Sequence, residues 1–226
     1  MRPWLVLAAL VPLACGPSDS SAPSSRWPAG TALVVGDQIP IRADEVDPYL
    51  PAVALIEPRY VEKQLVRLAL TNIVLPRAVG RVLAGPAACE RAERAAREAR
   101  VAIDDGSWTG PAAPGSSGGS SIAGSFSEIG LVRWAHAFEL QPGEWSPVFE
   151  EVGAFSIIRC VRRNDGRLPI QTEFELEVIS FFYLPEDKGL VMVEEGYDRV
   201  KLDILDPEWR TIVPELLQYR MGVHSP

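Results

Sequence analysis

Two His and three Cys carry most of the conventional reactive chemistry available to this 226-residue chain. His136 sits between Ala135 and Ala137 in a short helical stretch with Trp134 nearby, and His224 stands close to the carboxy terminus. Ser-His-Asp hydrolysis needs a His on a rigid element beside a nucleophile elbow, and neither His is so placed. The Cys residues, at 15, 89 and 160, form no Cys-x-x-Cys, so neither a redox motif nor a zinc knuckle is supported, and no metal or cofactor is expected. Cys89 falls on a helical pattern and Cys160 on an apolar strand. Two buried free thiols is the preferred reading, with a disulfide left open. Asp104–Asp105 and Glu194–Glu195 are adjacent carboxylates that point apart on any regular element. The Gly115–Gly119 run is not a phosphate cradle, because no Lys-Ser/Thr follows and no apolar strand precedes it. A net charge of −8 argues against a nucleic-acid partner, which needs a basic face. Hydrophobic residues make up 47% of the chain, enough for a packed core.

The amino terminus reads as an address. Arg2 precedes an apolar run that ends at Ala14, a signal-peptide pattern over 1–14. Val11-Pro12-Leu13-Ala14-Cys15 resembles a lipobox, with Pro12 standing where Leu is usual. Two readings stay open: lipidation of Cys15, which is preferred, or a plain secretory cut near Ala14. Residues 15–30 are rich in Ser, Pro and Gly and form a tether. A lipidated Cys15 followed by Gly16 implies a partner membrane, the periplasmic face of an outer membrane.

The body divides by pattern into three segments, 31–86, 87–185 and 186–226. In the first, Ala32–Val35 and Gln38–Ile41 are extended runs around a Gly36-Asp37 turn, and Pro40 makes the second an edge. Val61, Leu65, Leu68, Ala69, Asn72 and Leu75 fall at helical spacing from Arg59, with Pro76 set to break or kink the helix before it resumes to Gly85. The second segment opens with an Ala-rich helix carrying the i,i+4 pairs Glu90/Arg94 and Glu93/Arg97. A low-complexity loop follows over 104–124. Leu131–Leu140 reads as a short amphipathic helix, and Asn164-Asp165-Gly166 as a hairpin turn. Ala154–Val161 and Phe174–Tyr183 read as strands, with Phe174, Leu176, Val178 and Ser180 on one face of the second. In the tail, Asp206-Pro207 starts a helix, and Trp209, Val213 and Leu217 form an apolar stripe that Pro214 interrupts, read first as packing on the body and otherwise as an anchor for a partner. The class is α+β, helices covering a small antiparallel sheet.

Three stretches carry a family resemblance: Ile129-Gly130, Ala137–Val148 and Gly153–Arg159. Together they resemble the carboxy-terminal half of a parvulin-type (PpiC-like) peptidyl-prolyl isomerase domain over some 30 residues. The segment 31–86 is similar to the amino-terminal module of SurA-type chaperones, from Val35-Gly36-Asp37-Gln38-Ile39 onward. The resemblance implies a folding factor of the cell envelope that binds unfolded or proline-containing polypeptides. It implies an apolar groove, with Trp134, Phe138, Phe149 and Phe155 as peptide-binding candidates, and Trp145 beside them. Isomerisation must lower a barrier of about 20 kcal/mol by holding a twisted amide in a dry pocket. Here the departures bear on activity. Ser156 occupies a family His position, and no strand with the other His precedes Ala87. The segment that supplies a Met and a Phe to the pocket wall is reduced to Leu131–His136. The strand Phe174–Tyr183, which follows the domain, is free to fill the vacant strand position as a permuted arrangement. The alternative function is a non-catalytic assembly protein that uses the same scaffold to hold one partner.

Overall fold

The computed structural model describes residues 26–108 and 120–223. The 1–14 signal pattern, Cys15, His224 and parts of the 15–30 and 104–124 segments lie outside the described residues. The chain is a mixed α+β protein with two small antiparallel sheets.

The first sheet places β1 (Thr31–Val35) between β2 (Ile39–Arg42) and β7 (Leu202–Ile204). Its middle strand is the most apolar of the three, and Ala32 to Val35 are all buried. The β1–β2 turn needs two left-handed residues, which Gly36 (φ +61°) and Asp37 (φ +55°) provide. Pro40 lies on the edge strand, where its missing N–H breaks no ladder. Because β7 comes from the tail, residues set apart by sequence as an extension complete a sheet begun at residue 31. Tail contacts continue through α7 (Gly189–Gly196), which lies on α3 (Leu75–Ala84). Further on, the tail holds α8 (Glu215–Arg220).

Gly196 is the close point of that packing. A Cβ there would stand 2.8 Å from Leu83 Cδ1 and 2.9 Å from Val79 Cγ1. Gly196→Val is expected to destabilise the chain by about 2 kcal/mol through overpacking. Urea unfolding reads this directly, and an unchanged midpoint would mean that α7 does not pack tightly on α3.

Pro76 does not end its helix. After α1 (Leu50–Ile56), α2 (Glu62–Ala69) passes through one π-turn, Leu70–Val74, directly into α3. Proline at position 76 offers no N–H to the Asn72 carbonyl and crowds it, and the widened turn just before it absorbs that misfit. The extra residue per turn also re-phases the apolar stripe. Leu70, Ile73, Val74, Leu75, Ala78 and Val79 are buried, whereas Val61 and Asn72, expected on the stripe, are exposed. The helix starts at Glu62, three residues later than the pattern suggested. At Gly85 (φ +77°) the chain turns by 114° into α4 (Pro86–Asp104). No single helix among the described residues is long and apolar enough to cross a membrane.

The second sheet has the order β3-β6-β5-β4, every neighbouring pair antiparallel, from β3 (Ser120–Gly124), β4 (Phe149–Glu151), β5 (Ala154–Asn164) and β6 (Glu173–Phe182). The Asn164-Asp165-Gly166 turn proves longer than a tight hairpin. Pro169 lacks a ladder donor, and a 3₁₀ turn over Pro169–Gln171 delays β6 to Glu173. Alternation along β5 and β6 sends successive side chains to opposite faces. On one face Phe155, Ile157, Ile179 and Phe181 meet the main core and α4, which lays Ala92, Ala96 and Ala99 against the sheet. Of the two ion pairs expected along α4, Glu93–Arg97 forms, at 2.6 Å. On the other face Ile158, Cys160, Phe174, Leu176 and Val178 meet α5 (Phe126–Ile129) and α6 (Leu131–Phe138). Cys89 is half-buried and Cys160 buried, and both are free thiols.

Candidate functional site

Ser156 lies at the centre of the second sheet, opposite Ser180 of β6. The two hydroxyls are 2.9 Å apart, and Ser156 is fully buried. The partner of the Ser156 hydroxyl is therefore another hydroxyl, which is not a base. Burial also keeps it from touching a peptide.

The four aromatic candidates do not converge on one groove. Trp134 is completely buried and packs on Phe138 with ring centroids 4.9 Å apart. With Phe149 these rings form the core on the α6 face. Phe155, one residue from Ser156, points the other way into the main core. Nearness in sequence misled here, since neighbours on a strand face opposite sides. Phe149 and Phe155 also line a surface trough, while Trp134 and Phe138 line a separate cavity of about 260 Å³ with Tyr49 and His136. Trp145 is half-buried below the Arg159 guanidinium, 5.9 Å from its ring centre.

His136 is half-buried and stacks on Phe149, ring centroids 4.1 Å apart. Burial, reinforced by the positive charge of Arg77, pushes its pKa down to about 4. Arg77 is held by the Tyr49 hydroxyl at 2.7 Å. His136 is thus a neutral packing residue at neutral pH.

A group that sequence reasoning passed over lies on the α4 side. Arg81 donates from Nε and Nη2 to the two carboxylate oxygens of Glu150, at 2.7 and 2.6 Å. Tyr183 donates its hydroxyl to Glu150 Oε1 at 3.0 Å. Burial opposes the Arg81 charge, but the hydrogen bonds and charge of Glu150 overcome it and raise its pKa. Burial, followed by the Glu150 charge, likewise raises the Tyr183 phenol. The signal in the sequence was slight: an Arg on the apolar stripe of α3 and a Glu-Glu pair before the Gly153 turn. Glu151, the second of that pair, meets Arg133 at 2.8 Å on the opposite face.

The Arg81–Glu150 pair divides a trough running beside α4. One end, about 460 Å³, is walled by Trp27, Ile39, Pro86 and Cys89. The other, about 680 Å³, is walled by Val101, Pro147, Val148 and Phe149. Phe155 floors both. Burial raises the Cys89 thiol pKa, which keeps it protonated and a poor nucleophile. Among the described residues no group of three or more His, Cys, Asp or Glu gathers to hold a metal ion.

What these groups can do is bind: they offer apolar walls and a fixed donor–acceptor pair. No protein-family model, no curated protein and no solved structure matches this chain.

Proposed function

We propose that this chain is an exported folding factor on a parvulin-like scaffold, one that binds unfolded polypeptides of the cell envelope without isomerising proline. The Ser156–Ser180 pair carries this reading. Ser156 stands where the family places one His, and the other family His belongs to a strand missing from its usual place before the helices. β6 lies beside β5 in the middle of the sheet, where the permuted arrangement puts that strand. Ser180 on β6 stands directly opposite Ser156 in that arrangement. Two hydrogen-bonded, buried hydroxyls in that place support a retained fold with a closed catalytic face. Trp134 and Phe149, packed on the same face, replace an open proline pocket with core. With the serine pair sealed, no pocket opens there to bind the twisted amide differentially. The lipobox-like Cys15 and the tether after it fit a body held at the periplasmic face of an outer membrane.

A protease-coupled prolyl isomerisation assay and an aggregation-suppression assay on an unfolded client, both with the full chain, test this reading. The expected result is a rate equal to the uncatalysed one together with suppressed aggregation. A rate above background that Ser156→Ala abolishes would overturn the non-catalytic reading. Failure in both assays would favour assembly around a single partner.

A further inference from the structure

We infer that the polypeptide is held in the trough floored by Phe155, on the face of β5 opposite the serine pair, an inference that rests on the folding-factor reading. The occupant is an extended segment that sets one apolar side chain on each side of a bound peptide group.

The order of the lining residues carries this. Trp27, Ile39, Pro86 and Cys89 make one apolar wall, and Val101, Pro147 and Val148 make the other. Between them stand Arg81, which lines the first end, Glu150, which lines the second, and Glu93 of α4, which lines both and is itself paired with Arg97. Both volumes, about 460 and 680 Å³, lie in the range of ligand sites. A single small molecule would fill one end and leave the polar divide uncovered. An extended chain spans both, because its side chains on one face recur every two residues, roughly 7 Å apart.

The divide is suited to a peptide group. Arg81 spends Nε and Nη2 on Glu150, and its guanidinium keeps further N–H donors for a carbonyl oxygen. Glu150 already accepts two bonds from Arg81 and one from Tyr183, and a carboxylate accepts about four, so one acceptor position on Oε2 is left for a peptide N–H. The clasp holds both groups in place before the ligand arrives, which lowers the ordering cost of binding. The rims carry both signs, with Arg26 and Glu90 at one end and Arg97 and Asp104 at the other. Such a rim suits a polypeptide of mixed composition better than a polyanion, which needs a single sign of charge.

The test uses the full chain with reduced, carboxymethylated α-lactalbumin as the unfolded probe. Trp27→Ser combined with Val101→Glu alters one wall at each end. Val101 is exposed and Trp27 half-buried, so the fold should tolerate both changes. The double variant is expected to bind the probe at least about tenfold more weakly. Leu216→Glu, an exposed apolar residue of α8 away from the trough, serves as control and should leave binding unchanged. In the unaltered chain the probe should also slow alkylation of Cys89, read by peptide mass mapping. Full-strength binding by the double variant, or no protection of Cys89 by bound probe, overturns the trough and leaves the folding-factor reading standing. No binding by the unaltered chain overturns both.

Discussion

Glu150→Ala is expected to lower the unfolding free energy by about 2–4 kcal/mol. The Glu150 side chain is 9% exposed and neutralises an Arg81 side chain that is 38% exposed. Removing one partner of a buried ion pair costs roughly 3–5 kcal/mol, because the remaining charge is left without compensation. The partial exposure of Arg81 reduces that figure, since water screens part of the stranded charge. Tyr183 adds to the loss, its buried hydroxyl giving up the Glu150 acceptor while keeping the Glu151 carbonyl at 3.3 Å. Urea unfolding should show the midpoint falling by roughly 1 M or more. Adding Arg81→Met to Glu150→Ala should recover part of the loss, because no charge then remains to be solvated. A Glu150→Ala midpoint within experimental error of the parent would mean that the pair contributes nothing to the fold.

Acidification from pH 7 to pH 5 is expected to cost about 2 kcal/mol through His136 alone. Its pKa in the folded chain is about 4, against an ordinary value of 6.5. Below pH 6.5 the unfolded chain takes up a proton at this ring that the folded chain refuses, so the unfolded state gains. The contribution is fully present above pH 6.5 and is lost as pH falls towards 4, in total about 3 kcal/mol. The cause is structural: burial first, then the Arg77 charge, with the ring also stacked on Phe149. Equilibrium unfolding across pH 5 to 7 should therefore show a slope that His136→Phe flattens. Equal slopes in parent and variant would disprove the assignment. An imidazole titration followed by NMR gives a second reading, with the ring still neutral at pH 5.

Local chemistry alone determined much of this protein. Alternation announced the strands at Ala154 and Phe174, and alternating charge on small residues announced the α4 helix. Gly36-Asp37 marked a turn because left-handed backbone favours those residues. Asp206 before Pro207 marked a helix start, and Asp206 does accept from the Glu208 N–H at 3.0 Å. Each of these signals depends on a few neighbouring residues, so a single sequence carries it.

Tertiary structure decided the pairings, the phase of the long helix and the faces. That β1 accepts β7 as its neighbour, some 170 residues away in the chain, depends on which apolar surfaces find each other, and no local pattern encodes it. The π-turn before Pro76 moved Asn72 off the buried stripe, because one extra residue in a turn re-phases everything after it. The candidate site was least legible of all. Phe155 and Ser156 are adjacent in the chain, yet one floors an open trough and the other is sealed against Ser180. Residue types could name both, but only the pleat of β5 and the helices laid on either side determine which of them borders the trough.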